Sequence, residues 1–297
     1  MPLRGVKKIE IEVFSRCNRK CNWCPNVAFD RFTENIPMSE DCYLQLLNDL
    51  KESNFKGQIS FSRYNEPLQD HIMLKERINQ ARKIFPKGYF LANTNGDYLR
   101  KIGPSILDGL GLDELNIMDY DCKGLEYGKK LFEKLNIKRR NNRKLNQKYK
   151  HPWKLIGEYE NIKLIHFYAD WPKHNPLENR GGFFTDLATG KIKTVTANYG
   201  DKATRGKEMK WKGGGKTRKS PCKLPTINMN IDFDGTVNPC CHIRTDNPMH
   251  KDYHLGNINE QKVQDIFTSK KATEFRKLLA SGNWKNYPEP CRLCSKG

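Results

Sequence analysis

The chain has 297 residues, enough to bury one large core or two smaller ones. Lys and Arg number 53 against 34 Asp and Glu, a net charge of +19, and this excess points toward anionic partners. No apolar run approaches the ~20 residues of a membrane span, and Met1-Pro2-Leu3-Arg4-Gly5 lacks a signal-peptide core, so the expected setting is cytoplasmic, with no membrane partner.

Ile9, Ile11 and Val13 alternate with polar partners as a first strand does. The loop leaving it reads Cys17-Asn18-Arg19-Lys20-Cys21-Asn22-Trp23-Cys24-Pro25, three thiols within eight residues. Asn18 and Asn22 favour turns, and Pro25 discourages a helix at Trp23 and Cys24. Thiolates are soft ligands for iron–sulfur clusters, zinc or copper(I). A four-iron cluster on three cysteines leaves one iron open, whereas zinc would need a fourth ligand from elsewhere. The same spacing also suits an apolar helical stripe, against which the polar surroundings and the proline weigh.

Ser39 is an N-cap for a helix carrying Tyr43, Leu44, Leu46, Leu47 and Leu50. Cys42 within it reads as a small buried apolar residue. Gln58–Ser62 is a second strand, with Arg63-Tyr64-Asn65-Glu66-Pro67 at its end. A helix from His71 to Phe85 leads to a third strand, Tyr89–Ala92, ending in Asn93-Thr94-Asn95-Gly96. Ile102–Leu110 is helical in pattern, and Glu114–Met118 is a fourth strand ending at Asp119-Tyr120-Asp121. Four strand–loop–helix recurrences argue βα units and a parallel sheet, with the site at the C-terminal ends of the strands.

The run KRRNNRKLNQKYK, 138–150, contains no acid and reads as a solvated helix face or a loop. Ile162–Tyr168 is a fifth strand, followed by Asp170 and then Glu178-Asn179-Arg180-Gly181-Gly182. Residues 200–220, rich in glycine and lysine, form a linker or lid. Beyond it Ile227–Phe233 alternates, Asp234-Gly235 signals a hairpin, and a helical stretch carries Val263, Ile266, Phe267, Phe275, Leu278 and Leu279. The ten cysteines fall into groups, 17/21/24, then 222, 240/241 and 291/294, with Cys42 and Cys122 alone, which argues against a disulfide framework. Four thiolates in the second group suit zinc and a filled four-iron cluster equally.

A strand followed by Cys-x3-Cys-x-aromatic-Cys resembles the radical S-adenosylmethionine superfamily. The resemblance implies an α/β fold: a partial (β/α)6 TIM-like barrel of parallel strands over 1–199, then a small β-hairpin plus helix over 221–297. It implies that Cys17, Cys21 and Cys24 hold a 4Fe-4S cluster whose open iron binds S-adenosylmethionine, with Trp23 near the adenine. Glu66-Pro67 is the part shared with the family's Gly-Gly-Glu-Pro segment, whose residues bind the methionine ammonium; Tyr64 and Asn65 replace the glycines. Asn95 belongs to a turn like the family's Thr-Asn-Gly. Asn116 and Asp119 are candidates for the ribose hydroxyls, and Arg180 for another cofactor contact. The C-terminal pattern resembles the short "twitch" form of the SPASM domains. That likeness assigns Cys222, Cys240, Cys291 and Cys294 to an auxiliary 4Fe-4S cluster and leaves Cys241 as an alternative to Cys240.

The family's shared chemistry implies a radical that abstracts a hydrogen atom, and the auxiliary cluster a net two-electron dehydrogenation. Tyr120, Asp121, Tyr168 and Asp170, at strand ends, are candidates to line the substrate pocket. The substrates implied are sugar- or cyclitol-like or nucleotide-linked, with a peptide as the alternative, and a flavodoxin or ferredoxin would supply electrons. A separate reading is a nucleic-acid-binding protein with structural metal sites, the basic runs tracking phosphates; the three-plus-four division of thiols argues against it.

Overall fold

The computed structural model describes residues 3–19, 21, 24, 26, 29–120, 124–144, 153–168, 220–292 and 294. The strands are β1 (Lys8–Ile11), β2 (Gln58–Ser60), β3 (Tyr89–Thr94), β4 (Glu114–Asp119), β5 (Lys138–Lys144), β6 (Trp153–Tyr159), β7 (Ile162–Tyr168), β8 (Asn228–Ile231), β9 (Thr236–Asn238) and β10 (Gly256–Asn257). They form one sheet in the order β10-β9-β8-β1-β2-β3-β4-β7-β6-β5. The run from β8 through β1, β2, β3 and β4 to β7 is parallel, and both ends of the sheet are antiparallel.

Helices α1 (Glu40–Glu52), α2 (His71–Ile84), α3 (Asp97–Ile102) and α4 (Gly124–Lys134) follow the first four strands. Ser39 caps α1 by accepting from Cys42 N at 3.2 Å, and Cys42 is buried, both as the sequence predicts. Ile9, Ile11, Ile59, Phe90, Leu115 and Ile117 lie in one hydrophobic core with Leu46, Leu47 and Ile78 of the helices. The opposite face of each strand therefore carries the polar set. The register aligns Asn230, Glu10, Ser60, Leu91, Glu114 and Lys163 in one row across it. A row above, Asn93 pairs with Asn116, and Asn116 with Ile165.

Three expectations change. The basic run is neither helix nor loop over Lys138–Lys144: it is β5, paired antiparallel with β6, and cross-strand bonding to an apolar neighbour replaces the missing alternation in its own sequence. The helix expected over Ile102–Leu110 begins instead at Asp97 and stops at Ile102, with a single 3-10 turn at Pro104–Leu107. Gly103 adopts φ +100°, and Pro104 lacks the N–H that a continuing helix needs. The C-terminal helical stretch is likewise two pieces, α6 (Val263–Thr268) and α7 (Lys270–Ala280), divided where Ser269 accepts from Ala272 N and caps the second. The remaining short helices are α5 (Leu224–Ile227) and α8 (Glu289–Arg292).

The C-terminal segment joins the first half directly. β8 lies beside β1, and Met229, Ile231, Val237, Ile258, Val263 and Ile266 share its core. The expected turn at Asp234-Gly235 is formed, with Gly235 at φ +83° donating to Asp232 O at 2.9 Å. No described helix is long and apolar enough to cross a membrane.

Candidate active site and cluster centres

The loops leaving β1, β2 and β3 meet at the first cysteine group. Cys17 N donates to Arg31 O at 2.7 Å and Cys24 N to Cys21 O at 2.8 Å; Cys21 is buried and the other two are half-buried. Burial, then the charges of Glu66 and Cys24, push the Cys17 thiol well above its ordinary value. Three soft donors on one short loop suit a cluster that keeps one metal position for another molecule.

Glu66 is fully buried at the end of β2. Its carboxylate accepts from Leu68 N at 3.2 Å, Thr94 Oγ1 at 2.5 Å and Asn95 N at 2.8 Å. Burial lifts it to about 7 against the pull of those three donors. Much of its acceptor capacity therefore ties the β2 loop to the β3 turn. Asn95 is equally committed: Nδ2 donates to Asn18 Oδ1 at 2.8 Å and Oδ1 accepts from Asp97 N at 2.9 Å. Both residues hold the cysteine loop as well as facing it.

Sequence reasoning missed what fixes this loop. Arg19 forks onto Asp97, and Asn18 Nδ2 donates to Asp97 Oδ2 at 3.0 Å. It also missed the carboxylate that directly follows β1. Glu12, fully buried, accepts from Tyr64 N at 3.0 Å and pairs with Arg31 at 2.9 Å. The signal was present, since an acid alternating with Ile11 and Val13 must face inward on a strand buried on both sides.

Asp119 ends β4 and is buried, Tyr120 follows it, and the last residue of β7, Tyr168, pairs with Asp119, so these three come together at adjoining strand ends. Asn116 sits mid-strand, half-buried on the polar face, donating to Glu114 Oε1 at 3.1 Å. Trp23, Asp121, Asp170 and Arg180 lie outside the described residues.

The second cysteine group forms a separate centre. Cys222, Cys240, Cys291 and Cys294 line one cavity with Ile243, Leu279 and Pro290. Cys222 N donates to Leu279 O at 2.8 Å, and Cys294 N to Cys291 O at 3.3 Å. Burial, then the neighbouring thiols of Cys241 and Cys291, push the Cys240 thiol well up. Four thiols in a largely apolar pocket fit a cluster whose protein ligands are complete. The Cys241 thiol instead lies 3.7–3.8 Å from the His242 ring nitrogens.

Residues 222–295 match the family model of SPASM, an iron–sulfur cluster-binding domain. The chain is 25% identical to S-adenosyl-L-methionine-dependent 2-deoxy-scyllo-inosamine dehydrogenase of Niallia circulans, covering 97% of this chain and 92% of that protein. Its fold is similar to the crystal structure of BtrN in complex with AdoMet and 2-DOIA, at TM-score 0.62 and 23% identity over 98% of this chain and 92% of that one. It is similar also to selenomethionine BtrN in an open conformation, at TM-score 0.57 and 20% identity over 98% and 92%.

Proposed function

We propose that this chain, a radical S-adenosylmethionine oxidoreductase with a C-terminal SPASM-like iron–sulfur domain, dehydrogenates a secondary alcohol on a cyclitol-like ring. Its cofactors are S-adenosylmethionine and two 4Fe-4S clusters, one open to S-adenosylmethionine and one auxiliary. When bound, they supply a 5′-deoxyadenosyl radical that takes a hydrogen atom from the substrate carbon, and an acceptor for the electron left behind.

The protein binds, orients and excludes water. Cys17, Cys21 and Cys24 hold the first cluster, and Cys222, Cys240, Cys291 and Cys294 the auxiliary one. Glu66 and Asn95 hold the cofactor loop and face the methionine end, with Trp23, Asn116, Asp119 and Arg180 as further cofactor contacts. Tyr120, Asp121, Tyr168 and Asp170 line the substrate pocket, where a carboxylate among them takes the hydroxyl proton as the ketone forms. The division of labour runs 1–199 for a partial barrel, 200–220 for a linker or lid, and 221–297 for the hairpin-and-helix cluster domain. An acidic flavodoxin or ferredoxin suits the basic surface as electron donor.

The observation that carries the reading is the unequal thiol count at the two centres: three on the loop leaving β1, four around the second cavity. Similarity to a cyclitol dehydrogenase along nearly the whole chain supports a small polar substrate over a peptide. The test is anaerobic reconstitution, with about eight irons per chain expected for two clusters. Reduction with S-adenosylmethionine and 2-deoxy-scyllo-inosamine should give 5′-deoxyadenosine and a ketone in equal amounts. Zinc uptake in place of iron, or no 5′-deoxyadenosine, removes the reading.

A further inference from the structure

In the Glu66-Pro67 loop Tyr64, which stands in place of a glycine, and its neighbour Arg63 reach the C-terminal segment with their side chains. The Tyr64 hydroxyl donates to the Cys241 carbonyl at 2.8 Å, and Arg63 donates to the Ile243 carbonyl at 2.7 Å. Both acceptors lie on the segment that carries Cys240. Arg63 also pairs with Asp232, and both side chains are buried. The second carboxylate oxygen of Asp232 accepts from Thr245 N at 2.6 Å. The loop expected to read the methionine end is therefore bonded on one side to Glu12 of the β1 segment, through Tyr64 N, and on the other to the auxiliary-cluster segment.

A second route closes the circuit. The Arg244 guanidinium stacks on the Tyr64 ring at 4.1 Å and forks onto Asp246, and Asp246 also pairs with Arg31 at 2.6 Å. Arg31 is the residue whose carbonyl accepts from Cys17 N. Buried ion pairs are a weak source of stability compared with apolar packing, but they admit few alternative arrangements. Apolar side chains of β8 and β9 already join the two halves of the molecule. A buried charged network beside them, which leaves Arg31 Nη2 and Arg63 Nε without a hydrogen-bond partner among the described residues, therefore serves geometry more than cohesion.

We propose that Tyr64, with Arg63 beside it, is a positioning residue that ties the S-adenosylmethionine loop to the auxiliary-cluster loop, so that binding at the first is felt at the second. The inference rests on the functional reading above and names a coupling within it. An electron passing between two cofactors needs their separation held constant, and this bridge spans the two loops that hold them.

The test is hydrogen–deuterium exchange of residues 240–246 in the reconstituted holoenzyme, with and without S-adenosylmethionine, while the first cluster is followed by EPR. In the wild type S-adenosylmethionine slows exchange of the segment. Y64F keeps the ring under Arg244 and loses only the hydroxyl. Its segment exchanges faster, on the order of fivefold, which is the loss of one neutral hydrogen bond of about 1 kcal/mol, and the slowing by S-adenosylmethionine disappears while the EPR response of the first cluster remains. R63K, which keeps a cation beside Asp232 but loses the guanidinium bond to Ile243, moves the segment in the same direction. The coupling is overturned if S-adenosylmethionine slows the segment equally in Y64F and wild type, or if the wild-type segment ignores it while the first cluster responds. A first cluster that itself ignores S-adenosylmethionine removes the functional reading as well, and the EPR signal separates the two failures.

Discussion

Arg19 and Asp97 meet in a two-pronged ion pair across 78 residues of chain, Nε to Oδ2 and Nη2 to Oδ1, each at 2.7 Å. Arg19 lies between two cysteines of the first group and Asp97 opens α3, so the pair fastens the cysteine loop to the end of β3. Burial alone would raise Asp97, but the guanidiniums of Arg19 and Arg100 outweigh it and hold the carboxyl well below the usual range. A carboxylate with a depressed folded value contributes stability above its unfolded value of about 3.9 and loses it as pH falls below that. D97A should lower the unfolding free energy at neutral pH by about 2–3 kcal/mol and reduce iron loading at the first centre. D97N should flatten the acid limb of stability below about pH 4. Chemical unfolding at several pH values measures both, and an unchanged acid limb in D97N would count against the pair.

His166 sets a second pH window. It is buried on β7 beside Phe132 of α4, and neither ring nitrogen has a hydrogen-bond partner among the described residues. Burial, with a smaller contribution from Arg100, holds it down to about 4. Between that value and an unfolded value of about 6.5 the unfolded chain binds the proton and the folded one does not. The contribution of His166 to stability should therefore fall as pH drops from about 6.5 to about 4, by on the order of 3 kcal/mol. It is read as the difference between wild type and H166L, because buried Glu66, lifted to about 7, acts with the opposite sign across the same window. H166L should remove that slope without touching the one below pH 4. If wild type and H166L run parallel through the window, the neutral buried imidazole is wrong.

Much of the scaffold was legible in the chain because its signals are local. Ile9, Ile11 and Val13 alternate over a few residues, Ser39 caps within three, and Asp234-Gly235 turns within two. Cys222, Cys240, Cys291 and Cys294 were grouped by likeness to a known pattern, and the fold brings them to one cavity. What stayed hidden depends on distant partners. Nothing in Lys138–Lys144 alternates, and its strand exists because β6 bonds to it. Asn228–Ile231 read as a hairpin arm, but its other edge pairs with β1, more than 200 residues away. Tyr64 looked like a loss of glycine, and only the position of Cys241 shows what the hydroxyl does.

Gly128 offers a separate check on the packing of α4 against β7. A Cβ there would come within 2.6 Å of His166 Nδ1 and 2.8 Å of Cε1, too close for any real contact. G128A should destabilise by about 1–3 kcal/mol through overpacking, although alanine favours a helix over glycine by about 1 kcal/mol. Removing the ring should relieve the clash, so G128A added to H166A should cost far less than G128A alone. A double-mutant cycle reads the coupling. Additive effects would mean that the helix does not lie against the imidazole.

Cys240 and Cys241 are adjacent in the chain yet differently placed, and substitution should separate them. Cys240 lines the cavity shared with Cys222, Cys291 and Cys294, and its sulfur accepts from His242 N at 3.4 Å, as thiolate ligands commonly do. Cys241 is not among the described residues lining that cavity, and its carbonyl is the one held by Tyr64. C240S should bring the reconstituted protein from about eight irons per chain to about four, with the first centre still cleaving S-adenosylmethionine. C241S should keep both clusters, because serine preserves the backbone contact that Tyr64 uses. Iron and sulfide analysis with EPR of each variant decides the matter, and a C241S protein that loses half its iron would hand the ligand role to Cys241.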